Sequence, residues 1–160
     1  MSLLGEFIDK ETQELVKEGV CVKFLGDLDT VPPELSVKIK GAVAATKDLD
    51  QLVLSIMLSY SGRQELLRSA KTLARRAMEG EDPAAWDESD LAATLYTCDL
   101  PEPDLLIRTG GEYRLSNFLL WQSAYTEFWF TPALWPDFGE SELDEAISAY
   151  GDRHRRFGGV

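Results

Sequence analysis

Leu52-Val-Leu-Ser-Ile-Met-Leu58 is an almost unbroken apolar run, and Tyr60-Ser-Gly-Arg63 turns it into a helix-spaced stretch carrying Leu66, Leu67, Ala70, Leu73, Ala74 and Ala77. A strand with one face in water alternates polar and apolar residues. A run apolar at nearly every position is the style of a parallel strand covered on both faces. Strand, turn and helix in that order predict an α/β fold, and the flanking sequence repeats the pattern. Upstream, Leu4, Phe7, Ile8, Leu15 and Val16 recur at helical spacing until Gly19. Val20-Cys-Val-Lys-Phe-Leu25 then reads as a strand ending at Gly26-Asp27. After Pro32-Pro33, the positions Leu35, Ile39, Ala42, Val43 and Thr46 line one face of a second helix.

Downstream, Gly80-Glu-Asp-Pro83 ends the third helix, and Asp87 caps a short one carrying Leu91 and Leu95. Asp104 to Ile107 is a further strand. Residues 117–130 read as a helical turn through Leu120 and then a strand near Phe128-Trp-Phe130. From Ser141 a last helix turns Leu143, Ile147 and Tyr150 inward. Helices alternating with strands predict a mainly parallel sheet flanked by helices. No repeat, low-complexity tract or linker interrupts the chain, so residues 1–160 are read as a single domain.

With 160 residues the chain is long enough to bury a real core. Its 28 acidic residues exceed 16 basic ones, giving a formal net charge of −12. Nucleic-acid binders draw affinity from cations that neutralise phosphates, so this balance argues against that class. It also makes each local cluster of arginines informative, because the overall field repels anions. Arg108 with Arg114 is one cluster; Arg153, Arg155 and Arg156 form another. Two cysteines, Cys21 and Cys98, are too few for a disulfide framework, and Cys21 reads as a buried thiol in a strand. No Cys/His metal spacing, membrane-length apolar run or signal layout is present, and a cytoplasmic protein is expected.

The chemistry concentrates in Asp104-Leu-Leu-Ile-Arg-Thr-Gly-Gly-Glu-Tyr-Arg-Leu-Ser-Asn-Phe-Leu-Leu-Trp-Gln-Ser-Ala-Tyr-Thr-Glu127. Arg108 sits at the carboxyl end of a strand, where ligands of open α/β sheets bind. A guanidinium is a planar fork of donors that matches two phosphate oxygens and keeps its charge. Gly110-Gly111 permits close backbone approach to an anion. Arg114 and Ser116 add a second cation and a hydroxyl. No Gly-Lys-Ser/Thr follows, so this is not a Walker loop. Glu127 is either an exposed strand residue or, beside a diphosphate, a Mg²⁺ ligand, because Mg²⁺ takes one or two carboxylates plus phosphate oxygens.

These residues resemble the cis-prenyltransferases, the family of undecaprenyl diphosphate synthase. The match runs through Asp-Leu-Leu-Ile-Arg-Thr-Gly-Gly-Glu112, Arg114-Leu-Ser-Asn-Phe-Leu-Leu-Trp-Gln122, Phe130-Thr-Pro132, Leu134-Trp-Pro-Asp-Phe138 and Arg155-Arg-Phe-Gly-Gly159, and more weakly back through Gly26-Asp27 to the opening helix. The resemblance implies condensation of isopentenyl diphosphate onto an allylic diphosphate with Mg²⁺, creating a Z double bond in a polyprenyl diphosphate. It implies that Arg108, Arg114 and Ser116, with Gly110 and Gly111 in the same loop, grip isopentenyl diphosphate and that Glu127 holds the metal. Arg156 and Gly158 would reach a partner's active site in a homodimer, and the lipid product would bring peripheral membrane contact.

Departures shape the expectation. The family's Asp-Gly-Asn-Gly-Arg-Trp signature is absent, so no catalytic residue is assigned and His154 inherits no catalytic role. The implied fold is therefore a cis-prenyltransferase fold lacking its N-terminal strand and phosphate loop, the C-terminal portion of such an enzyme, with little condensation activity expected from the chain alone. Where the family usually reads Asn-Tyr-Gly-Gly-Arg, this chain has Ser59-Tyr-Ser-Gly-Arg63. Two alternatives stand beside this reading: an accessory subunit of a composite prenyltransferase, and a non-catalytic module that binds phosphate esters.

Overall fold

A computed structural model describes residues 2–152. It contains two compact units, Met1–Thr97 and Cys98–Val160. In the first, helix α1 (Ser2–Lys17) gives way to strand β1 (Val20–Leu25) through Gly19, whose φ of 72° is a left-handed conformation that glycine adopts without a Cβ penalty. Helix α2 (Pro33–Thr46) starts on Pro33, where a missing N–H costs nothing. Strand β2 (Leu52–Met57) runs parallel to β1, in register from Val20 against Leu52 to Leu25 against Met57. Helices α1 and α2 pack on each other and on β1. The core they enclose is Ile8, Val20, Val22, Phe24, Val31, Leu35, Ile39 and Ala42, and Cys21 is buried as expected.

Helix α3 (Gly62–Met78) follows β2. Helix α4 (Glu88–Ala92) is short and carries a capping box at its start: Asp87 accepts from the Ser89 N–H and Asp90 accepts from the Asp87 N–H. Such reciprocal bonds satisfy donors that a helix start otherwise leaves open.

Two expectations fail in this unit. Strand β2 is not covered on both faces among the described residues: Leu52, Val53 and Leu54 are 60%, 48% and 38% exposed. The pair β1–β2 is a two-stranded sheet whose helices α1 and α2 pack at β1, which leaves β2 as an outer strand. Nor does the apolar stripe of α3 supply its buried face. Gly62, Glu65 and Ser69 do, while Leu67 stands exposed.

In the second unit, β3 (Leu105–Arg108) and β4 (Glu127–Phe130) pair in parallel, Leu105 against Glu127 through Arg108 against Phe130. Helix α5 (Glu140–Gly151) packs on β4. It buries Ala146 rather than Leu143 and Ile147, which are largely exposed. Turns, not a helix, lead into β4: Ser116, Asn117 and Leu119 hold positive φ of 48°, 67° and 43°, outside the helical region. The strand expected near Phe128 is present. Parallel strand pairs flanked by helices make the fold α/β. Arg153, His154, Arg155, Arg156 and Gly158 lie outside the described residues.

Candidate functional site

Arg108 is the last residue of β3, at the carboxyl end of the second unit's sheet. Its carbonyl accepts from the Thr131 N–H at 3.0 Å, which fixes the backbone from which the side chain departs. Its Nε is buried and has no hydrogen-bond partner among the described residues. A guanidinium stays charged, and a buried donor of that kind without an acceptor is costly. The geometry therefore leaves Arg108 able to take an anionic oxygen.

The Gly110-Gly111 turn has φ of 81° and 70°, and added Cβ atoms would meet little there. The requirement for glycine is conformational rather than steric. Both N–H groups are engaged inside the protein, Gly110 with the Ala133 carbonyl at 2.8 Å and Gly111 with the Thr131 carbonyl at 2.9 Å. The glycines therefore act by shaping the loop and returning the chain over the sheet. Tyr113 then packs tilted against Phe130, ring centroids 5.2 Å apart, and Phe130 is the residue opposite Arg108. Arg114 follows on the surface, 63% exposed and paired with Glu112. Ser116 is exposed and strained at φ 48°.

Glu127 is placed differently. It is the first residue of β4 and sits opposite Leu105, three residues before Arg108. Three strand steps span roughly 10 Å, and an odd number of steps sends the side chain to the other face. Arg108 shares its face with Leu106, Phe128 and Phe130; Glu127 shares the other with Leu105, Ile107 and Trp129. One copy of the chain therefore does not direct Glu127 toward an anion seated on Arg108. Among the described residues no cluster of three metal-ligating side chains exists either. The residues described do not fit a Mg²⁺ bridging Arg108's ligand to Glu127.

The first unit holds features that sequence reading missed. Glu65, 1% exposed, accepts from the Tyr60 hydroxyl at 2.6 Å and from the Tyr96 N–H at 2.9 Å. It ties the loop after β2 to residue 96. Arg68 donates to the Thr94 carbonyl at 2.8 Å and lies 4.5 Å over the Tyr96 ring. Burial pushes the Tyr96 phenol up, Arg68 opposes that, and the carboxylates of Asp27, Glu65 and Asp29 reinforce it. A cavity of about 710 Å³ opens beside these groups. A polar pair, Glu65 and Ser69, on the face of α3 that an apolar stripe ought to own was the available clue.

A family model described as "Putative undecaprenyl diphosphate synthase" matches residues 1–158. An isoprenyl transferase of Heliobacterium mobile is 48% identical over 99% of this chain and 61% of its own length. A ditrans,polycis-undecaprenyl-diphosphate synthase ((2E,6E)-farnesyl-diphosphate specific) of Xanthomonas axonopodis pv. citri is 45% identical over 99% of this chain and 62% of its own. The chain thus spans about three-fifths of the length of these curated relatives. Lavandulyl diphosphate synthase from Lavandula x intermedia, solved with dimethylallyl diphosphate, superposes with a TM-score of 0.93 at 36% identity, covering 97% of this chain and 68% of that one. A probable undecaprenyl diphosphate synthase from Campylobacter jejuni gives 0.84 at 33% identity, covering 99% and 72%.

Proposed function

The chain belongs to the undecaprenyl diphosphate synthase family, and from that premise we propose that it works in cis-prenyl transfer, seating isopentenyl diphosphate for condensation with an allylic diphosphate. In that reaction the allylic C–O bond breaks and diphosphate leaves. The alkene of isopentenyl diphosphate supplies the electrons of the new C–C bond, and loss of a proton from the adjacent carbon sets the new double bond. The part proposed for this chain is binding and orientation. Arg108 and Arg114 neutralise and fork onto the diphosphate, Ser116 donates its hydroxyl, and Gly110 and Gly111 fix the loop. Held this way, the alkene approaches in one orientation, which converts an encounter of two molecules into a positioned reaction.

The observation that carries the reading is the Nε of Arg108, buried at the carboxyl end of β3 and without a partner among the described residues. Mg²⁺ would help neutralise the diphosphates of this reaction, but Glu127 is not placed to hold it on the ligand of Arg108. Because Glu127 leaves the sheet on the face away from Arg108, no step is assigned to the ion. Residues 1–160 acting as one domain, a homodimer served by Arg156 and Gly158, a cytoplasmic location, and membrane contact through a lipid product complete the proposal. Among the described residues no helix is long and apolar enough to cross a membrane.

The test is a calorimetric titration of the chain with isopentenyl diphosphate, with and without Mg²⁺, repeated on Arg108→Ala and Arg114→Ala. Losing one charge-assisted hydrogen bond should weaken binding about 10- to 150-fold. Binding that both variants retain unchanged would overturn the assignment.

A further inference from the structure

The 710 Å³ cavity belongs wholly to the unit Met1–Thr97, and the diphosphate reading makes no use of it. Its size falls within the range of roughly 300–1,000 Å³ that small-molecule sites occupy. It opens at the carboxyl ends of β1 and β2, the side of an open α/β sheet where ligands collect. Two elements face it with opposite charge. The segment after β1 contributes Asp27 and Asp29. Helix α3 contributes Arg68 and Lys71, three residues apart and so on one face of the helix. Leu67 and Tyr96 add apolar surface.

These charges do not satisfy one another. None of the four takes part in an ion pair among the described residues, although such pairs form elsewhere, Arg76 with Glu81 and Asp90 among them. Arg68 is held by the Thr94 carbonyl and the Tyr96 ring rather than by a carboxylate. A simple anion entering the cavity gains Arg68 and Lys71 but meets Asp27 and Asp29. A simple cation meets the reverse. A molecule with one charge of each sign gains both interactions, and the like-charge conflicts reject the alternatives.

We propose that this cavity is a second binding site, for a small zwitterion whose phosphate or carboxylate sits on Arg68 and Lys71 and whose ammonium sits on Asp27 and Asp29. Leu67 and the Tyr96 ring cover the carbon chain between the two ends. The site does not rest on the diphosphate reading, and the two can fail independently.

The probe is O-phosphoethanolamine, compared with inorganic phosphate and with ethanolamine, titrated into the full chain at pH 7 and followed by amide chemical shifts. The expected result is at least tenfold tighter binding of the zwitterion than of either half, with shifts confined to residues around Asp27, Arg68 and Tyr96. Lys71→Met and Asp29→Asn, both at exposed positions, should each weaken it at least fivefold while leaving isopentenyl diphosphate binding and the melting temperature unchanged. Equal affinity for all three compounds, no binding of any, or zwitterion binding indifferent to both substitutions would each overturn the proposal.

Discussion

Replacing Thr46 by valine should damage the first unit through a single hydrogen bond. Thr46 ends α2 and is 0% exposed. Its hydroxyl donates to the Ala42 carbonyl at 2.9 Å and accepts from the Val22 N–H at 3.1 Å. Val22 lies in the middle of β1 and is 2% exposed. The side chain thus gives a strand amide its acceptor, beside a sheet that has only β1 and β2 among the described residues. Valine has nearly the same shape, so it opens no cavity, but it strands a buried N–H. That penalty is about 1–3 kcal/mol. Thr46→Ser keeps both hydrogen bonds and deletes one methyl, at a cost of about 1 kcal/mol.

Amide hydrogen exchange at Val22 separates the two mechanisms. In Thr46→Val the amide should exchange about 5- to 150-fold faster than in the parent, as the expected loss implies. In Thr46→Ser the Val22 amide should stay protected to within about fivefold. Urea midpoints should fall in the same order with unchanged slope. Parental exchange at Val22 in the valine variant, or greater damage from serine than from valine, would refute the assignment of Thr46 as the acceptor that anchors β1.

At Gly26, φ is 127° and a Cβ would lie 2.0 Å from the Leu58 carbonyl oxygen, whereas Gly80, at φ 105°, has open space; Gly80→Ala should cost about 1–2 kcal/mol and Gly26→Ala clearly more, and equal losses in thermal melts would refute the collision. Arg108→Met removes a buried donor that has no partner among the described residues, so stability in urea should hold or rise while isopentenyl diphosphate binding falls at least about tenfold; retained binding would sink the role given to Arg108. Ser59 sits at φ 49°, so Ser59→Asn or Ser59→Gly should raise stability by about 0.5–1 kcal/mol, and a lower midpoint for both would show that the hydroxyl itself is needed. Ser89 hydrogen bonds hold the Asp87 carboxyl below its ordinary range, Arg76 does so for Glu81, and the Gly139 N–H for Glu142. Folded values below the unfolded ones mean stabilisation that is complete above the unfolded range and lost as pH falls through the folded values; the Ser89 and Gly139 amide signals should therefore broaden or shift below about pH 4, and pH-indifferent signals would contradict the caps.

The elements that could be read from sequence are those whose cause is local. Gly19, Pro33 and Asp87 mark their helix boundaries by backbone chemistry that needs no neighbour, and Leu35, Ile39 and Ala42 declare a buried face by spacing alone. Glu65 could not be read this way. A buried carboxylate needs its Tyr60 hydroxyl and its Tyr96 N–H, and the second of these is 31 residues away. Strand β2 misled for a related reason: an apolar run states a preference for burial, but only the placement of other elements decides whether burial is met. The cavity draws on three segments, near residues 27, 68 and 96, and no spacing rule connects them.

The deeper limit concerns charge. A sequence lists arginines without saying which are already satisfied, and that distinction separates structural cations from binding ones. Arg76 donates to Glu81 and Asp90 and covers the Trp86 ring, so its proton is held more firmly than usual and its charge is spent on joining α3 to α4. Among the described residues the buried Nε of Arg108 has no acceptor, and Lys71 forms no ion pair despite a surplus of twelve negative charges in the chain. The pairing state, which emerges only from the folded chain, is therefore what directs attention to Arg108 in one unit and to Arg68 with Lys71 in the other.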